Sequence, residues 1–388
     1  MRIAHVITRL IIGGAQENTL LCCRDLMRLY GDDILLVTGP AMGPEGSLIE
    51  RSRAGGVCLV VVPQLRRAIH PWRDARSYLA LKRIVRDFRP DVVHTHSAKA
   101  GMLGRMAASA LGVPAVVHTV HGAPFHPYQS RASWMFFRWC ERVAAARCHA
   151  LVSVADAMTD LLVAAGVAPR EKFVTVYSGM DVEPLLSAGR HRREVRRQLG
   201  YKPHHVVIGK IARLFRLKGH SDVIRAAGTV VERFPNARFL FVGDGVLHDR
   251  LRRQIDASGL TEHFQLVGLV DPARIPSVIA AMDIVVHASL REGLARALPQ
   301  ALIVGRPVVS YDVDGAREIV VPGRNGYLVP PRSVARLAAA LLDLVGDNSL
   351  RDRLAAADHQ RLVDQFRHEH MTQQLRRLYE RILDRSPA

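Results

Sequence analysis

The sequence predicts an α/β fold built from two doubly wound domains in tandem. Three observations carry this. Short apolar runs rich in Val, Ile and Leu alternate with longer amphipathic stretches along the whole chain. Many of the runs are continuously apolar, the mark of parallel strands covered on both faces. The rhythm pauses near residue 190 and then restarts, so the same βαβ pattern is read twice.

In the first half, Ile3–Ile7 is a strand, Gly13 and Gly14 open a loop, and Gln16–Tyr30 has helical spacing through Leu20, Leu21, Leu26 and Leu29. Strands follow at Ile34–Val37, Val57–Val62, Asp91–His94, Ala115–His118, Ala150–Val154 and Phe173–Val176. Helices are expected at Trp72–Phe88, Gly101–Leu111, Ser133–Ala146 and Asp156–Ala165. His191–Gly200 is an arginine-rich helical stretch, followed by a polar turn at Tyr201–His205. The second half places strands at Val206–Ile211, Arg238–Val242, Phe264–Val267, Ile284–His287, Val308–Tyr311 and Gly326–Val329. Its helices are Lys218–Phe234, Leu247–Ser258, Ala273–Ala281, Leu298–Val304, Ser333–Val345 and Ser349–Phe366. The tail, Glu369–Asp384, is a charged amphipathic helix. The domains are therefore 1–185, 186–366 and a C-terminal helical segment, 367–388, expected to pack back on the first domain. Ligands of such folds bind at the carboxyl ends of the strands, in a crevice.

Composition narrows the function classes. At 48% hydrophobic residues the chain is globular, and no apolar run reaches the roughly 18–20 residues that span a bilayer. Met1–Leu21 is interrupted by Arg9, Gln16, Glu17 and Asn18, which reads as strand, loop and helix and not as a secretory signal. Five cysteines without a CxxC spacing favour a reduced, cytoplasmic setting. The net charge of +18 is spread over both halves, with 22 basic and 15 acidic residues up to Leu185 and 32 and 21 beyond. It suits anionic substrates or an anionic membrane surface, and equally a generally basic surface. No helix-turn-helix, zinc or RNA-recognition signature accompanies it, which argues against nucleic acid.

Two segments carry the chemistry. In Gly209-Lys-Ile-Ala-Arg-Leu-Phe-Arg-Leu-Lys218-Gly219, a strand ends and two cations, Arg213 and Lys218, stand five residues apart in the loop before a helix. Cations at the top of a strand neutralise a diphosphate, Arg as a planar fork and Lys as a point charge. In the second segment, strand Asp283–His287 leads through Ala288-Ser-Leu to the turn Arg291-Glu-Gly-Leu294 and then a helix. A strand–turn–helix unit favours a phosphate at the helix start, and Glu292 can orient sugar hydroxyls. Taken singly, the cations also read as solubilising surface and Glu292 as a helix cap.

Together these segments resemble the retaining glycosyltransferases of family 4, which have the two-domain GT-B fold. The resemblance implies that Arg213 and Lys218 meet the donor diphosphate, that Glu292 contacts the donor sugar, and that the backbone of Gly293, Leu294 and Ala295 meets the phosphates. The family carries a second Glu eight positions on, where it holds the ribose; here that residue is Gln300. Phe264–Gly268 resembles the segment that brackets the base, which assigns Gly268 to the nucleotide. Phe241–Gly245, Asn325–Pro330 and Tyr177–Asp181 match further family motifs, the last with Ser178 in place of Asn. In the first half, the Gly13–Gly14 loop is implied to lie beside the diphosphate and acceptor, although a tight turn packing helix on strand explains it too. His121, in Val117-His-Thr-Val-His-Gly122, matches a family His at the donor sugar.

His94, His96, His118 and His121 also read as possible metal ligands; the family needs no metal, and none is expected here. Ser130–Ala150 interleaves Arg131, Arg138, Arg142 and Arg147 with Trp134, Phe136, Phe137 and Trp139. This pattern fits either a half-buried core helix or a helix at a membrane interface. The expected function is a metal-independent hexosyl transfer, with retention, from a UDP-linked sugar to a hydroxyl of a glycan, lipid-linked or small-molecule acceptor. Other readings are a non-catalytic sugar-nucleotide-binding partner subunit and a GT-B epimerase of UDP-N-acetylhexosamine.

Overall fold

A computed structural model describes residues 1–42 and 46–385. The chain divides into two compact units, Met1–Met180 with the segment from Gln365 onward, and Asp181–Asp364.

The first unit holds a seven-stranded sheet: β1 (Arg2–Ile7), β2 (Asp33–Thr38), β3 (Cys58–Val61), β4 (Val92–His96), β5 (Ala115–Val120), β6 (Ala150–Ser153) and β7 (Phe173–Thr175). Its order is β3-β2-β1-β4-β5-β6-β7, and every pair is parallel. All residues of β4 and β5 are buried, as a sheet covered by helices on both faces requires. The helix Gly14–Tyr30 follows β1, and Gly31 closes it in the left-handed conformation at φ 65°.

The second unit holds six strands: β8 (Val206–Ile211), β9 (Ala237–Val242), β10 (Phe264–Leu266), β11 (Ile284–His287), β12 (Val308–Tyr311) and β13 (Gly326–Val329). Their order is β10-β9-β8-β11-β12-β13, again all parallel. Both sheets reverse strand order beside their first strand, between β1 and β4 and between β8 and β11. The carboxyl ends of these pairs are the switch points at which open α/β sheets bind ligands.

The arginine-rich stretch is the helix Arg192–Gln198. Arg192 and Arg196 clamp Asp283 from two sides, at 2.5 and 3.0 Å, and Asp283 also accepts the Val207 N–H at 2.7 Å. Burial pushes the Asp283 carboxyl up, but the two guanidiniums outweigh it and hold it low. The charge in this stretch thus fastens a helix to β8 and β11.

Three sequence expectations need correction. The helix expected over Ser349–Phe366 is two helices, Asn348–Ala356 and His359–Phe366. Asp358 separates them at φ 61°, and its carboxylate pairs with Arg324 at 2.5 Å and accepts Asn325 Nδ2 at 3.1 Å. The first unit ends at Met180, short of 185, because the short helix Glu183–Leu186 packs on the helices Ile275–Ala281 and Ala297–Ile303 of the second unit. Chain returns to the first unit at Gln365, where Met180 N–H donates to Phe366 O at 2.8 Å.

The last helix, His368–Leu383, lies within the first unit. Leu375, Leu378 and Tyr379 enter its core, while His368 meets Asp25 at 2.6 Å and Arg376 meets Asp32 at 2.9 Å. The approach is so close that a Cβ on Gly179 would stand 2.6 Å from His368 Cα. Glycine in the Tyr177–Asp181 motif is therefore explained by packing.

Candidate functional site

The second unit's site forms where β8 and β11 end. Strand β8 runs straight into the loop 212–219, which is bracketed by backbone bonds to the neighbouring strand end. Ala212 N–H donates to Val242 O at 3.0 Å, and Leu214 N–H to Asp244 O at 2.9 Å. Gly243 N–H donates to Gly268 O at 2.9 Å, which draws Gly268 to the same edge. On the other side, Leu290 N–H donates to Leu217 O at 2.8 Å, joining this loop to the one after β11. The junction is tight. Gly219 sits at φ 68°, and a Cβ there would stand 1.8 Å from Ala288 O, so only glycine fits.

This junction unites Lys218 and Glu292. Lys218 Nζ donates to Glu292 Oε1 at 2.5 Å, and His287 Nε2 lies 3.4 Å from the same oxygen. The Glu292 N–H donates to Asp314 Oδ2 at 2.5 Å, which fixes the backbone as well as the side chain. Burial pushes the Glu292 carboxyl up, but Lys218 and His287 outweigh it and hold it far below the ordinary carboxylate range. Glu292 is thus an ionised, acceptor-only group. Burial pushes Asp314 up and His287 down. Lys218 retains donors beyond the one given to Glu292, so one ammonium can serve a carboxylate and a phosphate together.

Arg213 lies in the same loop, exposed, with its guanidinium 5.0 Å from the centre of the Phe215 ring. Gly293, Leu294 and Ala295 are buried in the loop after Glu292. The helix begins only at Ala297 and ends at Ile303. Those three residues therefore lie in the turn before the helix, which starts one residue ahead of the expected Leu298. Gln300 is half-buried one turn into that helix, and its N–H donates to Arg296 O at 3.1 Å.

Sequence reasoning missed four groups here. Lys210, on β8 opposite Phe241, is fully buried, and its Nζ has no hydrogen-bond partner. Burial lowers its pKa to about 7, helped by Lys218 and opposed by Glu292 and Asp222. Asp222 accepts the Tyr311 hydroxyl at 2.9 Å beneath the loop. His287 and Asp314 complete the set. Only Asp314 left a signal, as the Asp-Gly turn after β12; Lys210 and His287 look like ordinary strand residues until burial is known.

In the first unit, Gly13 follows β1 at φ 174°, extended backbone open to any residue. A Cβ there would meet only Gln16 Oε1, at 2.8 Å, the end of a side chain that can swing aside. Gly14 begins the helix. Packing therefore does not demand glycine at position 13. His121 follows β5, and its Nε2 stands 3.1 Å from His96 Nδ1. His94 and His118 are held by Tyr379 and Thr119 and by Thr95, respectively.

Comparison with known proteins gives these positions a family. Residues 191–361 match the model "Glycosyl transferases group 1" and residues 13–179 the model "Glycosyl transferase 4-like domain". An Escherichia coli UDP-Gal:alpha-D-GlcNAc-diphosphoundecaprenol alpha-1,3-galactosyltransferase is 28% identical over 90% of this chain and 89% of its own. A GDP-mannose-dependent alpha-mannosyltransferase of Mycobacterium tuberculosis is 30% identical over 71% of this chain and 69% of its own. Among solved structures, Anabaena HepE in complex with UDP superposes with a TM-score of 0.80 at 22% identity, covering 98% of this chain and all of HepE. The chain is thus a glycosyltransferase of the GT-B fold and belongs to the group 1, family 4-like glycosyltransferases.

Proposed function

We propose that the enzyme transfers a hexose, with retention, from a UDP-linked donor to a hydroxyl of a glycan or lipid-linked acceptor. The observation that carries this is the Lys218–Glu292 pair at the β8/β11 switch point, where the ammonium donates to one oxygen of a half-buried carboxylate at 2.5 Å. A sugar diphosphate needs both: an acceptor for hydroxyls and cations for the leaving group. UDP as carrier is supported by the names of the E. coli relative and of the HepE complex; the mycobacterial relative, named for GDP-mannose, marks the alternative base.

In this reading the acceptor oxygen attacks the anomeric carbon as the bond to the diphosphate oxygen breaks. The electron pair leaves with the diphosphate, and the β-phosphate takes the acceptor's proton. Lys218 and Arg213 stabilise the developing charge, in the role a divalent ion plays elsewhere, so turnover should survive a chelator. Glu292, its charge held by Lys218 and His287, is a weak nucleophile; it positions the sugar. Gly293–Ala295 offer backbone to the phosphates, Gly268 faces the base, and Gln300 offers the ribose an uncharged amide. The helix Arg131–Ala145 leaves Met135, Phe136 and Trp139 exposed beside Arg131 and Arg142, which supports peripheral contact with an anionic membrane.

Glu292→Ala and Lys218→Ala should each lower turnover on the order of 10²- to 10³-fold while the protein stays folded. Near-normal turnover in a folded Glu292→Ala variant contradicts the assignment.

A further inference from the structure

Lys210 is fully buried near the end of β8, and its Nζ has no hydrogen-bond partner. Side chains alternate along a strand, so Lys210 points to the same face as Val206 and Ile208. Those two share a core with Val223 and Ala227 of the helix His220–Arg233. On the neighbouring strand β9, its register partner is the apolar Phe241.

The charged and titratable groups that act on Lys210 come from three elements. They are Lys218 in the loop after β8, Glu292 in the loop after β11, and Asp222 and His220 on the helix. Both carboxylates are engaged elsewhere. Glu292 accepts from Lys218 at 2.5 Å, with His287 at 3.4 Å, and Asp222 accepts from Arg225 at 2.6 Å and from the Tyr311 hydroxyl at 2.9 Å. Burial, with Lys210 and Lys218 nearby, pushes His220 far down, and burial pushes His287 down. Glu292 and Asp222 thus balance Lys218 and Arg225, and a charged Lys210 is one buried positive charge in excess. Burial, helped by Lys218, accordingly lowers its pKa to about 7. At pH 8 roughly nine-tenths of such groups are neutral amines.

A diphosphate at Lys218 reverses this balance, because it brings at least two negative charges to the same place. An opposite charge close by favours the ammonium over the amine. We infer that Lys210 is a positioning residue of the donor site that takes up a proton when a nucleoside diphosphate binds, and so acts on the diphosphate charge from within β8 without touching it. The proton comes from solvent and adds to the amine lone pair; no other bond changes. The empty site is spared an excess charge, and the occupied site gains a cation as negative charge gathers on the leaving diphosphate. Lys210 acts here through the proposed donor role of Lys218 and Glu292, on which the inference rests.

The test is calorimetric binding of UDP to the full chain at pH 8, in two buffers of different ionisation enthalpy, which counts the protons exchanged. The terminal phosphate of UDP, with a pKa of about 6, is already ionised there. The expected result is uptake of roughly 0.8 proton per UDP by the parent, and almost none by Lys210→Met. The Kd of the parent should also rise, by about tenfold per pH unit at the steepest, between pH 7.5 and 9, and Lys210→Met should lose most of that slope. Absence of uptake by the parent at pH 8 overturns the inference without any variant. Equal uptake by parent and folded Lys210→Met puts the proton on another group and overturns it as well. GDP is titrated alongside. If neither nucleotide binds, the donor reading falls and the inference with it; binding without proton uptake leaves the donor reading standing and removes Lys210 from it.

Discussion

Lys210 shows how burial makes a strand lysine unusual. Its ammonium is fully buried with no hydrogen-bond partner, and burial, helped by Lys218, lowers its pKa from 10.5 to about 7. The unfolded chain therefore binds more protons than the folded one between about pH 7 and 10.5. Its destabilising effect is fully present below pH 7 and is lost as pH rises through that window, by on the order of 1 kcal/mol per unit. Lys210→Met should be more stable than the parent at pH 7, and its stability should rise less between pH 7 and 9, by about 2 kcal/mol. Denaturant unfolding at the two pH values measures this, and an unchanged pH slope would contradict it. Arg213, Lys218 and Glu292 stood out in the sequence because they lie in two loops that follow apolar strand runs, in family order. Lys210 and His287 did not, since they depend on which strands are neighbours and on which atoms lose water.

At the scale of elements, strand cores were read almost to the residue. Val206–Ile211, Ile284–His287, Val308–Tyr311 and Gly326–Val329 coincide with the continuous apolar runs. Helix ends were less legible. Asp358 interrupts a helical pattern through a left-handed turn held by Arg324 and Asn325, a tertiary cause that periodicity does not carry. The helix Arg131–Ala145 divides between its two readings by face. Trp134 and Phe137 are half-buried and Glu141 pairs with Arg105 at 3.0 Å, whereas Met135, Phe136 and Trp139 face solvent. If that outer face meets a membrane, the protein should sediment with anionic vesicles. Trp139→Ser should then weaken partitioning about tenfold, on the order of 1.4 kcal/mol of lost apolar burial. Equal sedimentation of parent and variant would place the contact elsewhere.

On the scale of the whole molecule, one topology is used twice, with a switch point beside the first strand of each sheet. Among the described residues, no helix is long and apolar enough to cross a membrane. The charge of +18 is not concentrated in a tail, and part of it is structural, as Arg192 and Arg196 on Asp283 show. The central claim is that Lys218 and Glu292 form the donor site. It is tested most directly by nucleoside diphosphate release from a panel of nucleotide sugars, with chelator present and no acceptor. The account predicts slow release from one UDP-sugar, reduced at least 10²-fold in a folded Lys218→Ala variant. Release that is unaffected by Lys218→Ala, or that requires a divalent ion, would contradict it.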